Sequence, residues 1–157
     1  ETDITRVILA IHHKREVITD FFGDSYLGIE VKYSVEEYAL GTGGGIRQAL
    51  TKCEGEQAIV LNGDSLIDLN LANFTEQFER SNAPMSMALR YMEDVSRYGA
   101  VETEGNILTE FKEKGQQKGA GYINSGVYLI QKEYFLNHTP EGNFSMETEL
   151  LEPTRKL

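Results

Sequence analysis

Two short runs in this chain, residues 5–11 (Thr-Arg-Val-Ile-Leu-Ala-Ile) and 57–61 (Gln-Ala-Ile-Val-Leu), are apolar at successive positions instead of alternate ones. A strand of that kind has no face to offer to water. It is the pattern of strands buried on both faces, which α/β proteins achieve by covering a parallel sheet with helices. The intervening sequence supplies the helices. Val17, Ile18, Phe21 and Phe22 recur at helical spacing before Gly23, and a second strand is expected over 29–33. A helix is expected from about residue 44 to 52, with Ile46, Ala49, Leu50 and Cys53 on one face. Strand, helix and strand with short connections make the βαβ unit, so the expected fold is α/β: a Rossmann-like, mostly parallel sheet flanked by helices. At 157 residues, 40% of them hydrophobic, the chain has enough material for one core and one domain over 1–157.

Farther on, Asn70 is placed to cap a helix carrying Leu71, Phe74 and Phe78. Strands are expected over 85–91, 99–102, 107–112 and 122–130, with Glu104-Gly105-Asn106 turning a hairpin between the second and third of these. A brief helix is expected over 132–136. Ser145 can cap a terminal helix over 148–151 that Pro153 disturbs.

Charge narrows the partners. A net charge of −10 is a poor match for nucleic acid or an anionic membrane, because a long phosphate surface needs a basic face to displace its counterions. One small anion held by local cations and backbone amides remains open. No apolar run approaches the roughly 18 residues of a membrane span. The single Cys53 can form no intramolecular disulfide, which suits a reducing compartment and a cytoplasmic location. Nothing in the sequence sets the oligomeric state, and a homo-oligomer stays open.

Several sites are struck out by spacing. Four glycines occupy five positions in Gly41-Thr42-Gly43-Gly44-Gly45, but the third glycine of a dinucleotide fingerprint would fall on Ile46. No Gly-Lys-Ser/Thr follows, so this is no P-loop. There is no G-x-S-x-G elbow, and no Cys or His pair at metal spacing. What remains is a glycine loop at a helix N-terminus, where unpaired N–H groups would face an acceptor and the missing Cβ atoms would admit a flat ring or a phosphate. A tight turn without a ligand is the alternative. Asp64, after Asn62 and Gly63 at the tip of an apolar strand, can hold Mg²⁺, which takes one or two carboxylates beside phosphate oxygens; a turn role is the alternative, and is the reading for Asp68. Phe111-Lys112-Glu113-Lys114 places lysines beside a carboxylate, and Lys112, Lys114 and Lys118 form the local basic cluster. Here a solvated strand end is the alternative. His12 and His13 read as a polar strand end.

Taken in order, Leu40-Gly41-Thr42-Gly43-Gly44, Val60-Leu61-Asn62-Gly63-Asp64, Tyr98-Gly99-Ala100-Val101-Glu102, Phe111-Lys112-Glu113-Lys114 and Ile123-Asn124-Ser125-Gly126-Val127-Tyr128 resemble the sugar-1-phosphate nucleotidyltransferases, a family with a GT-A-like fold. Lys14-Arg15-Glu16-Val17-Ile18, Tyr33-Ser34 and Asn143-Phe144-Ser145 are most similar to its D-glycero-α-D-manno-heptose 1-phosphate guanylyltransferase branch. The resemblance implies attack of a sugar 1-phosphate on the α-phosphate of a nucleoside triphosphate, GTP in that branch, with release of pyrophosphate and Mg²⁺ as cofactor. It implies base contacts from Thr42, Gly43 and Gly44, with Asn62 also in the nucleotide site. Asp64 would be a catalytic residue and hold the metal. Gly99, Glu113 and Asn124 would bind the sugar, and Lys114 would be the second catalytic residue, meeting the sugar phosphate. It therefore turns the glycine stretch from a phosphate cradle into a base platform. Sister enzymes for mannose-, glucose- or N-acetylmuramate-1-phosphate are the alternative, as is a truncated, non-catalytic nucleotide-sugar-binding domain. His12-His13 stands where relatives often carry Gly-Tyr. Family members also open with a strand and a second glycine-rich loop bearing an arginine, then a Lys-Pro pair, and supply a second metal-binding aspartate later. None of these occurs in the residues given, so the fold is expected to be incomplete at both ends and these residues alone not catalytically complete.

Overall fold

In the computed structural model, residues 4–152 are described. In chain order they form β1 (Arg6–Ile11), α1 (Arg15–Phe22), β2 (Ser25–Tyr26), β3 (Ile29–Val35), α2 (Gly41–Leu50), β4 (Gln57–Leu61) and α3 (Leu71–Ser81). β5 (Met85–Met92), β6 (Ala100–Glu104), β7 (Ile107–Lys112), β8 (Gly121–Gln131), α4 (Lys132–His138) and a π-helical turn (Glu147–Leu151) follow. The α/β reading holds, and most elements fall within a residue or two of their expected ends. Asn70 caps α3 as its chemistry suggests, its Oδ1 accepting the Asn73 N–H at 3.0 Å. Ser145 Oγ accepts the Thr148 N–H at 3.2 Å, and Glu149 returns a carboxylate to the Ser145 N–H at 3.0 Å. This is the reciprocal logic of a capping box. Pro153 lies outside the described residues.

Strand direction departs from expectation. Among the described residues only β1 and β3 pair in parallel; β2 pairs antiparallel with β3, and β4, β5 and β6 are each antiparallel to β8. The strands also form two sheets, β1-β3-β2 and a five-stranded sheet built on β8. An apolar run reports that both faces are covered; it carries no information about a neighbour's direction. The sheets are joined through α2, which packs on β1, β3 and α4 and sends Leu50 and Ile46 into the core against β8. Cys53 lies just beyond α2 and is half-buried.

β8 is the centre of that core. Val127, Tyr128, Leu129 and Ile130 are all buried, so the strand is covered on both faces. One cluster gathers Tyr128 and Ile130 with Leu50, Val101, Phe111 and Phe135, and with Phe144, Met146 and Leu151 from the last described segment. Burying a side chain of the size of Phe144 contributes about 1.5–3 kcal/mol, so this segment is part of the core.

At the start of β1, Arg6 pairs through Nε with Glu30 of β3 and through Nη1 with Glu54 at 2.7 Å, in the connection from α2 to β4. Hydrogen bonding to the guanidinium holds both carboxyls below the usual carboxylate range. Their folded pKa values therefore lie below their unfolded ones, so the contribution to stability is present above the ordinary carboxylate pKa and is lost as pH falls through the depressed values. Arg6→Gln should lower the urea midpoint at neutral pH, and the gap from wild type should close on acidification from about pH 6 to about pH 3. A gap that widens with acid would contradict this pairing.

Candidate functional site

The site begins with a fork in the large sheet. One edge of β8 serves β4 through residues 127–131 and β6 at residues 122–123. Between them β8 bulges. Opposite Met87 and Leu89 of β5 it advances from Tyr128 to Asn124, and Gly126 at its centre has φ +75°. The two flanking strands part here. On the β4 side Asn62 N–H donates to Gly126 O at 2.8 Å, and on the β6 side Asn124 N–H donates to Gly99 O at 3.4 Å. A Cβ on Gly126 would stand 2.7 Å from Asn62 Nδ2, so the close approach of these chains depends on glycine. A crevice between diverging strands is where α/β sheets hold ligands.

Register brings the proposed sugar residues to the fork. Ala100 pairs with both Lys112 and Ile123. One position farther on each strand stand Gly99, Glu113 and Asn124, from three segments distant in sequence. Gly99 is packed against the Phe111 ring, 2.7 Å from where its Cβ would be. The Asn124 side chain is tied at both ends: Oδ1 accepts the Gly126 N–H at 2.9 Å, and Nδ2 donates to Tyr128 Oη at 2.6 Å. One amide hydrogen and one oxygen lone pair remain for a ligand. Burial pushes the Tyr128 hydroxyl up to about 12, with Glu147 adding to the rise against the Asn124 hydrogen bond, so it stays protonated at neutral pH.

Asp64 is exposed in the loop that leaves β4. That loop starts beside Gly126, and its Leu66, Ile67 and Asp68 line a hollow with Leu89, Arg90 and Tyr91 of β5, where Leu89 pairs with Asn124. Asp64 lies midway along this crossing. Among the described residues no three His, Cys, Asp or Glu side chains gather as a metal cage, so Asp64 belongs to no protein-built cage of three or more ligands. That fits Mg²⁺, which keeps most of its ligands as water and phosphate oxygens. Of the basic cluster, Lys112 is held to the β6–β7 hairpin by Glu102 and by Glu110 at 3.5 Å. Lys114 and Lys118 lie in the loop beyond β7.

The glycine stretch differs from expectation. α2 starts at Gly41, so the glycines form its first turn and no glycine loop precedes it. Two of its first-turn N–H groups are also not held open for a ligand. Gly43 N–H and Gly44 N–H both point to Phe144 O, at 3.0 and 3.4 Å. Just before the helix, the Leu40 N–H donates to Glu36 Oε2 at 3.0 Å. A helix that begins after Leu40 has no polar cap of its own, and these two groups supply it. The missing Cβ atoms are accounted for in the same way. Side chains at Gly41 and Gly43 would collide with the Phe144 backbone and ring, at Gly44 with Gly142 O, and at Gly45 with Glu36 Oε1. Gly43, Gly44 and Gly45 are buried, whereas Thr42 is exposed. Glycine here lets residues 142–144 dock, a function that composition could not separate from ligand binding. The two histidines behave as a strand end, with His12 Nδ1 2.9 Å from Glu36 O. Glu36, Tyr128 and Glu147 were not singled out from sequence. An apolar Leu40 at the cap position of a glycine-rich helix is the one signal that some distant group must complete it.

A family model described as nucleotidyl transferase matches residues 1–154. The chain is 40% identical over 155 residues to a D-glycero-alpha-D-manno-heptose 1-phosphate guanylyltransferase of Campylobacter jejuni, covering 98% of this chain and 67% of that one. Against the protein of the same name from Aneurinibacillus thermoaerophilus it is 38% identical, covering 95% and 64%. HddC from Yersinia pseudotuberculosis, solved in complex with GMP-PN, superposes with a TM-score of 0.82 at 31% identity, covering 94% of this chain and 64% of that one. The chain thus spans about two thirds of the length of these relatives.

Docking of residues 142–144 makes a paired prediction. Gly43→Ala places a methyl in the Phe144 ring and should cost about 1–3 kcal/mol, as overpacking does, with faster amide exchange at Phe144 and Met146. At Gly63 nothing lies within 4 Å of an added Cβ, and Gly63→Ala should stay within about 0.5 kcal/mol of wild type. Urea denaturation and hydrogen exchange read both.

Proposed function

The chain belongs to the nucleotidyl transferase family, and on that premise we propose that the whole protein transfers GMP from GTP to a sugar 1-phosphate, D-glycero-α-D-manno-heptose 1-phosphate, forming an NDP-sugar and pyrophosphate. One observation carries this reading: the fork at Asn124–Gly126 draws Asn62, Gly99, Glu113 and Asn124 to the gap between β4 and β6 along one edge of β8, beside the loop that bears Asp64. It is supported by the relatives of that name and by the complex of the similar HddC with GMP-PN.

In this reading a phosphate oxygen of the sugar 1-phosphate attacks the α-phosphorus of the nucleotide, and the bond to the β-phosphate breaks with pyrophosphate leaving. The attacking group is already anionic, so no covalent nucleophile is required, and alignment with charge stabilisation is the protein's task. Glu113 and Asn124 bind sugar hydroxyls, and Gly99 lets the ring approach its backbone. Lys114 meets the sugar phosphate, while Lys112 is occupied by Glu102 and Glu110. Thr42, Gly43 and Gly44 form the wall for the base, and Asn62 also belongs to the nucleotide site. Asp64 holds Mg²⁺, which when bound neutralises charge on the phosphate oxygens. The reaction places the protein in the cytoplasm, where nucleoside triphosphates are found.

The test is pyrophosphate release by the full-length protein with GTP, Mg²⁺ and a panel of heptose, mannose, glucose and N-acetylmuramate 1-phosphates. The heptose substrate should be preferred. Preference for another sugar would move the protein to a sister activity, and no release with any of them would overturn the proposal. Asp64→Asn should lower kcat by about 10²-fold or more, corresponding to the several kcal/mol of charge stabilisation a metal supplies, without lowering the urea midpoint.

A further inference from the structure

The glycine turn of α2 is held by a segment about a hundred residues away. Phe144 N–H donates to Leu40 O at 3.0 Å while its carbonyl receives the Gly43 and Gly44 N–H groups. Asn143 Nδ2 donates to Ala39 O at 2.6 Å. Thr42 is exposed and is the one member of residues 41–45 with a side chain, and its hydroxyl is directed: Oγ1 accepts the Met146 N–H at 2.9 Å and donates its proton to Glu147 Oε2 at 2.7 Å. The same Glu147 oxygen also accepts from Ser145 Oγ at 3.0 Å.

A hydroxyl has one proton and two lone pairs. With the proton given to Glu147 and one lone pair to Met146, Thr42 keeps one lone pair and can only accept. We propose that Glu147 is a positioning residue for the nucleotide: by fixing the Thr42 hydroxyl as an acceptor, and with Asn143 and Phe144 fixing the turn beneath it, Glu147 sets which base the site takes. This inference rests on the functional reading above, in which Thr42 meets the base. The orientation favours a base edge that donates. Guanine presents N1–H and an amino group side by side, whereas adenine in the same pose presents a bare N1 and a C2–H there, its one amino donor standing where guanine carries O6, out of line with a Thr42 acceptor set opposite the N1 and C2 positions. A carboxylate is the right group for this task because it has no proton of its own and leaves the hydroxyl only one direction to donate.

The experiment measures equilibrium binding of GTP and ATP to full-length protein, together with steady-state kinetics in both substrates. Glu147→Ala should weaken GTP about 10-fold, the loss of one charge-assisted hydrogen bond, with ATP affinity unchanged. Its kcat and its KM for the sugar phosphate should stay within about twofold, because hydrogen bonds made equally in ground and transition state affect KM alone. Glu147→Gln, which keeps an acceptor oxygen, should recover most of the GTP affinity. Asn143→Ala changes an exposed side chain outside the core and should weaken GTP in the same direction by a smaller factor. It keeps the inference open to refutation if Glu147→Ala does not fold. Unchanged GTP affinity in either alanine variant overturns the inference, as does an equal loss for GTP, ATP and sugar phosphate, the mark of a general loosening. Wild type that binds GTP without turnover, with binding still weakened in Glu147→Ala, would overturn the transferase reading and leave this one standing. Wild type that binds no nucleotide would overturn both.

Discussion

The contact on which this structure turns is a backbone carbonyl, Phe144 O, seated in the first turn of α2. It satisfies two N–H groups that a helix beginning after Leu40 would otherwise leave unpaired. The Phe144 backbone fills the space that a side chain at Gly41 would claim, and its ring the space at Gly43. The same ring belongs to the cluster that packs β8, α2 and α4 together. One residue thus completes a helix and closes a core, and it does so at the wall where the base is proposed to lie. The positive helix end is turned inward, toward a carbonyl and the Glu36 carboxylate, so the dipole argument that favours a phosphate at a glycine-rich N-terminus does not operate here.

The second constraint is the fork in β8. A strand that served one neighbour along its whole edge would leave no crevice. By serving β4 with one half and β6 with the other, and by bulging at Gly126 between them, β8 turns a change of partner into the gap where the substrates are proposed to lie. Gly99 before β6, Glu113 after β7 and Asn124 within β8 then meet without any long loop to carry them. The scaffold around them is rigid, since Val127 to Ile130 are buried on both sides. Polar groups held on a packed strand keep their geometry when a ligand leaves, which is what a reaction dependent on alignment requires.

Much of this was legible in the sequence, and the reasons for success and failure differ by residue. The 57–61 strand, the Asn70 cap and the Gly105 hairpin are local, each decided by side chains within a few positions. The gathering of Gly99, Glu113 and Asn124 is non-local, and only the resemblance to a known family anticipated it. Strand direction failed because an apolar run records burial and not pairing. The glycine stretch was ambiguous for a physical reason: a missing Cβ admits a ligand and a neighbouring backbone equally well, and nothing near residue 41 says that Phe144 is the occupant. Glu147 was invisible for the same reason, being 105 residues from the hydroxyl it holds.

Four glycines in the first five residues of α2 also affect how the protein comes into being. Each costs a helix about 1 kcal/mol relative to alanine, so α2 has little tendency to form alone, and an isolated ten-residue helix is marginal even with good residues. Its stability arrives with residues 142–147. On the ribosome, a chain synthesised to residue 140 has the eight strands of the described residues in hand and still lacks the piece that caps this helix. The turn proposed to meet the base is therefore set only once residues 142–147 have been added and docked on α2.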